Sequence, residues 1–292
     1  MEKGFLPALG TPLDERGYVV ANSLQAEVER QIQAGCCGML VMGSMGQQAF
    51  IRSGETPKIA RLAIEQAKGR VPVFVGAMDC SINRAAERME SMEDLKPDAF
   101  VFTTPYYKAC TRDQVISYFQ AVGKATKRPI MLYDLPVATQ TKITYDMVTE
   151  LSRTVPNLIG IKSADLKMLR RLRLEGEVPA DFITCYSDID LFDVGFKWGI
   201  PNYLDGMISC TPRTFEKLDK AMKAGDFEAA SPYLSSVIWL RDFFAKRSLW
   251  PCFTAAMNML GYEGNFAPDY VPGISDATVE EVREAMKKLG EL

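Results

Sequence analysis

Eight short apolar runs, each followed by a polar, amphipathic stretch, constrain this chain more than any other feature. The runs are FLPAL from Phe5, GMLVM from Gly38, VPVFVGA from Val71, DAFVFTT from Asp98, PIMLYD from Pro129, NLIGIK from Asn157, DFITCYS from Asp181 and YLDGMIS from Tyr203. They are apolar at consecutive positions, as strands buried on both faces are. Between them, Leu24, Val28 and Ile32 share one helical face, as do Ile59, Leu62 and Ala63, and then Val115, Phe119 and Val122. Thr56–Pro57 reads as a helix start, Thr111 with Gln114 as a capping box, and Gly35 as a helix end. A unit of roughly 22 to 34 residues fits a strand plus a crossover helix. The fold expected is α/β, a (β/α)8 TIM barrel over 1–210, with a helical extension over 211–292 that packs on it. The extension reads as helices from Phe215 to Lys223, Phe227 to Lys246, Cys252 to Leu260 and Val279 to Leu289. No GxGxxG follows the first strand, as a dinucleotide-binding sheet requires.

Composition removes several function classes. A net charge of -3 over 292 residues, 24% of them charged, leaves no basic excess for a nucleic-acid partner. No apolar run approaches the roughly 18 residues of a membrane span, and MEKGFLPALG lacks a secretory core, so a cytoplasmic location is expected. Seven cysteines without CxxC spacing read as reduced structural thiols. There is no histidine, which excludes Ser-His-Asp hydrolysis, Cys-His proteolysis and His-ligated zinc together.

In such a barrel the chemistry lies at the carboxyl ends of the strands. There the sequence collects GSMGQ (Gly43 to Gln47), TTPYY (Thr103 to Tyr107), YDLP (Tyr133 to Pro136), Lys162, YSD (Tyr186 to Asp188) and ISC (Ile208 to Cys210). Taken singly, each has a structural explanation: a solvated lysine, a packing tyrosine, a turn. Taken together they suit one chemistry. Partial burial favours the neutral amine of a lysine, and a neutral amine condenses with ketones to a Schiff base. A tyrosine can carry the protons that histidine cannot carry here. The backbone amides of Gly43 to Gly46, with the Ser44 hydroxyl, can hold a carboxylate. The set suits a 2-oxo acid and needs no metal or organic cofactor.

GSMG, TTPYY, YDLP and GIK, in this order and spacing, resemble the dihydrodipicolinate synthase and N-acetylneuraminate lyase family of Schiff-base aldolases, from PALGTPLDERG to the helical tail. The resemblance implies that Lys162 is the Schiff-base lysine, Tyr133 the proton shuttle, and Ser44 with the Met45 amide the carboxylate site. It further implies that Tyr107 is donated across a contact in a homodimer or homotetramer, and that Ile208 and Ser209 line the pocket beside the keto acid. The chain departs from the family pattern in three places. Ala138 stands where synthases carry an arginine that grips the aldehyde's carboxylate, a loss on the order of 2 to 5 kcal/mol for that substrate. GSMGQ replaces GTTGE or GSTGE, and Ser163–Ala164 replaces a DS or DT pair.

The function expected is therefore a class I aldolase or lyase that makes or breaks a bond between a pyruvate unit and an aldehyde. The expected substrate is a 2-oxo-3-deoxy sugar acid, with Tyr186, Ser187, Asp188 and Ser209 bonding its hydroxylated tail. The alternatives are 4-hydroxy-tetrahydrodipicolinate synthase and a catalytically silent keto-acid sensor.

Overall fold

A computed structural model describes residues 1–292. Each apolar run overlaps a strand: β1 Gly4–Pro7, β2 Met39–Val41, β3 Val73–Gly76, β4 Ala99–Thr103, β5 Ile130–Tyr133, β6 Leu158–Ser163, β7 Ile183–Tyr186 and β8 Asn202–Asp205. All pair in parallel, in the order β1-β8-β7-β6-β5-β4-β3-β2. The remaining gap closes through the parallel Ala8–Leu40 bridge and the Leu9 N–H, which donates to the Leu40 carbonyl at 2.9 Å. The result is a TIM barrel.

The helices of the barrel are α1 Ala21–Gln33, α2 Thr56–Ala67, α3 Ile82–Glu90, α4 Arg112–Lys124, α5 Pro136–Thr139, α6 Tyr145–Thr154, α7 Leu166–Leu174, α8 Phe192–Lys197, α9 Met207–Cys210 and α10 Pro212–Lys223. The local signals hold. Thr111 and Gln114 form a reciprocal capping box at α4, and Gly35, with φ of 87°, follows the end of α1. Thr56 is the first residue of α2 rather than its cap.

Two expected boundaries move. Strand eight stops at Asp205, and Ile208, Ser209 and Cys210 belong to the short helix α9, because the Asp205 carboxylate takes the Met207 N–H at 2.8 Å and turns the chain. The other shift is at α10, which supplies the outer helix for β8. Phe215 packs on Phe5 and Tyr203 at centroid distances of 5.9 and 6.3 Å, and the Tyr203 hydroxyl donates to Asp219 at 2.6 Å. The helices outside the barrel are α11 Phe227–Ala245, α12 Leu249–Met259 and α13 Asp276–Leu289. One core of 78 buried residues runs from Phe5 to Met286, so barrel and tail share their interior.

Glu27 of α1 is fully buried within this core. One carboxyl oxygen accepts from the Gly10 N–H at 3.1 Å and the other has no partner. Burial pushes the carboxyl from its ordinary 4.5 to about 8, against a smaller lowering by the Gly10 N–H. The folded chain thus holds a proton that the unfolded chain releases above 4.5, and stability falls as pH rises from about 4.5 to about 8. At neutral pH the penalty is at most about 3 kcal/mol. Glu27→Gln keeps an acceptor for Gly10 and is expected to raise stability at pH 7.5 while leaving it little changed at pH 4.5. Urea melts at the two pH values check this, and equal gains at both would remove the buried-proton explanation.

Candidate active site

Residues paired across a parallel sheet share a face. Thr103 of β4 pairs with Tyr133 of β5, Tyr133 with Lys162 of β6, and Lys162 with Cys185 of β7. Their side chains therefore meet inside the carboxyl end of the barrel. Lys162 and Tyr133 are 6% and 3% exposed, and the Lys162 ammonium lies 3.8 Å from the centre of the Tyr133 ring. The Tyr133 hydroxyl lies 3.0 Å from the Ser44 hydroxyl. One lysine and two linked hydroxyls thus stand together.

The next residue on each strand faces outward and braces this pair. Asp134 accepts from the Ser163 hydroxyl at 2.8 Å, from the Ile143 N–H at 2.9 Å and from Lys142, which also reaches Asp165 at 3.3 Å. Ser163, one of the departures from the family pattern, thereby ties β6 to β5 behind the reacting groups. Asp205, half-buried, ends β8. Burial raises its carboxyl, opposed by the Met207 N–H and then by the Lys162 charge.

The GSMG loop takes its shape from close backbone contacts. Met42 leaves β2 with φ of 53°, and its carbonyl approaches Gly76 so closely that a Cβ there would lie 1.8 Å away. A Cβ on Gly46 would lie 2.8 Å from the Met42 nitrogen. Within this turn the amides of Ser44, Met45 and Gly46 donate to no protein group, while those of Gln47 and Gln48 bond back to Ser44 and Gly43. Three free amides beside an exposed serine hydroxyl can hold a carboxylate. The Met45 side chain lies against Gly206, so only its backbone is offered.

Above this lies a cavity of about 510 Å³. Ser44 and Ala138 line it, as the sequence led us to expect. Thr103 and Tyr106 of TTPYY and Leu135 of YDLP line it too, together with residues that sequence reasoning missed: Phe50, Met78, Trp250 and Tyr270. No Asp, Glu, Lys or Arg lines it. Of Lys162, Tyr133 and Ser44, Ser44 alone lines this cavity, and two larger clefts, of about 700 and 850 Å³, contain none of the three.

The hydroxyl set expected for a sugar tail is not assembled. Tyr186 pairs with Ser163 and Tyr203, on the outer face of the barrel, and its ring packs on Phe192 at 6.0 Å. Burial and the neighbouring Asp188 carboxylate push its phenol up. It sits in the helix layer, because Cys185 holds the inward position on β7. Ser209 is fully buried and donates to the Ala8 carbonyl at 3.0 Å, and the Ile208 and Ser209 carbonyls accept from Gln31 at 3.3 and 3.1 Å. Asp188 caps the turn at Asp190 at 3.3 Å, and Ser187 donates its N–H to Ser163 at 3.1 Å. Tyr107 is 81% exposed and stands outside its own chain's cavity, which Tyr106 lines instead.

A parallel barrel with a buried lysine against a tyrosine, a serine hydroxyl and free amides is the framework of a class I aldolase. The sequence matches the dihydrodipicolinate synthetase family over residues 1–288. The chain belongs to that family, whose members are class I aldolases and lyases that form carbon–carbon bonds. It is similar to the 4-hydroxy-tetrahydrodipicolinate synthase of Stutzerimonas stutzeri (strain A1501), 30% identical over 301 residues and covering 100% of both chains. It is also similar to that of Agrobacterium fabrum, 30% identical over 234 residues, 80% of this chain and 79% of the relative. Two solved structures share the fold, each at a TM-score of 0.90 and over 100% of both chains. One, at 21% identity, is a prophage protein of the dihydrodipicolinic acid synthase family from E. coli K12 in complex with pyruvate. The other, at 22%, is dihydrodipicolinate synthase from Thermotoga maritima. No helix here is long and apolar enough to cross a membrane.

Proposed function

We propose that this chain is a Schiff-base aldolase or lyase that joins a pyruvate unit to an uncharged aldehyde, or cleaves the corresponding 4-hydroxy-2-oxo acid. The observation that carries the reading is the contact of Lys162 with Tyr133 and of Tyr133 with Ser44, beside three unengaged amides. In the cleavage direction the Lys162 amine attacks C2 of the 2-oxo acid. The Ser44 hydroxyl and the Met45 amide hold its carboxylate. Tyr133 passes protons to the departing water as the carbinolamine becomes an iminium. The iminium then withdraws the electron pair of the C3–C4 bond. The C4 hydroxyl gives its proton to the phenolate oxygen of Tyr133, the aldehyde leaves, and C3 of the enamine is protonated. Water finally hydrolyses the iminium and releases pyruvate.

A 2-oxo-3-deoxy sugar acid is the hydroxylated form of such a substrate. With Tyr186 and Ser209 engaged elsewhere, that form depends on Ser187 and Asp188. A homodimer or homotetramer is part of the proposal, and Tyr107, 81% exposed, is open to contact with another copy.

The synthase activity named for the relatives is the second reading, and Ala138 separates the two. An aldehyde bearing its own carboxylate loses hydration on entry, and the cavity lining has no cation to offset the loss. Pyruvate should therefore condense with aspartate semialdehyde at a kcat/KM at least about ten-fold below that of an uncharged aldehyde, and Ala138→Arg should narrow the gap roughly ten-fold. Steady-state assays of both proteins check this. Efficient use of aspartate semialdehyde by the wild type would put the synthase reading first.

A further inference from the structure

Resting on the aldolase reading above, we infer that the aldehyde half of the substrate is a flat, apolar group of the aromatic aldehyde class. At about 510 Å³ the cavity is in the range of small-molecule sites and has far more room than a three-carbon pyruvate unit requires. Its outer walls come from distant parts of the chain. Phe50 follows the carboxylate loop, while Trp250 starts α12 and Tyr270 lies in the segment between α12 and α13. Phe50 and Tyr270 meet edge to face at 5.8 Å, yet remain 50% and 70% exposed. A pair of large apolar rings held half-open over a catalytic mouth is a surface that a flat apolar ligand would cover.

The polar groups of the cavity oppose a polyhydroxylated tail. Gln47, Gln48 and Thr103 contribute to the lining, but their amide and hydroxyl atoms are sealed from solvent and have no hydrogen-bond partner. A ligand therefore meets the apolar parts of these side chains. The Thr139 hydroxyl is taken by the Leu135 and Thr141 carbonyls at 3.2 and 3.1 Å. The polar groups left to a tail are the Tyr106 and Tyr270 hydroxyls and the Trp250 indole N–H, each carried on a ring, too few for a polyhydroxylated chain, whereas an aromatic ring loses little hydration and buries much. In the forming direction the enamine carbon bonds to the aldehyde carbon, the carbonyl oxygen takes a proton from Tyr133, and hydrolysis of the iminium releases the product and the Lys162 amine.

The test compares benzaldehyde, glyceraldehyde and aspartate semialdehyde as partners for pyruvate with the full chain, following the 4-hydroxy-2-oxo acid by mass spectrometry. Benzaldehyde is expected to exceed glyceraldehyde in kcat/KM by at least about ten-fold. Tyr270→Ala, at an exposed position of the tail, and Trp250→Ala, at a half-buried one, should each shrink that preference several-fold through a higher KM for benzaldehyde. Equal or better use of glyceraldehyde, or a preference unchanged in both variants, would overturn the inference. The pyruvate adduct on Lys162, trapped with borohydride, keeps the two levels apart. If it forms without an aromatic preference, the tail assignment alone fails. If it does not form, the aldolase reading fails and takes the inference with it.

Discussion

Lys162→Ala is expected to fold as the wild type does and to lose at least about a thousand-fold in turnover, the scale on which removal of a covalent nucleophile acts. The lysine lies near the end of β6 with its Nζ against the Tyr133 ring. Its removal opens a small space but breaks no ion pair. The loss should fall on kcat rather than on melting temperature. Circular dichroism melts together with single-turnover assays would separate the two effects. Residual activity within ten-fold of wild type would mean that the reaction does not pass through this amine.

Tyr133→Phe is expected to slow turnover by roughly 100-fold or more while leaving the barrel intact, as removal of a general acid–base group does. The substitution deletes one hydroxyl, which faces Ser44 at 3.0 Å, and retains the ring on which the Lys162 ammonium rests. The two steps of the reaction should respond differently. Schiff-base formation, which solvent protons can assist, should slow less than cleavage of the C3–C4 bond, where the proton must leave a defined hydroxyl. Rapid-quench measurements of adduct formation and of aldehyde release distinguish these steps. An unchanged turnover number would remove Tyr133 from the proton path.

The strands could be read from the sequence because a parallel barrel buries both faces of each one, leaving runs such as AFVFT and IMLY with no polar interruption. That same property hid their parity. In DFITCYS nothing tells which of Cys185 and Tyr186 faces inward, and the sequence reading placed Tyr186 at the mouth whereas the register places Cys185 on the inner face beside Lys162. Lys162 and Tyr133 were legible because polar groups that end apolar strands have few places to go except the mouth. The end of β8 was misplaced because MIS is apolar enough for strand or helix, and the Asp205 side chain that decides between them acts through a hydrogen bond.

The cavity was legible only from one side. Ser44 and Ala138 lie at strand ends already marked by motifs, whereas Trp250 and Tyr270 reach the mouth through tertiary packing of the tail, and no periodicity reports where a tail helix docks. Gln47 illustrates a further limit. Read as the loss of a family glutamate's charge, it turns out to be a buried amide without a partner, whose surroundings no single sequence discloses. The Ala138 argument gains from the structure, since no cation elsewhere in the lining replaces the missing arginine.

The central claim, that Lys162 forms a Schiff base with a pyruvate unit, is tested most directly by borohydride reduction in the presence of pyruvate, with intact mass and peptide mapping as the readout. One reduced pyruvate per chain, located on Lys162 and absent from Lys162→Ala, is the expected result. No adduct, or an adduct that persists in Lys162→Ala, would contradict it.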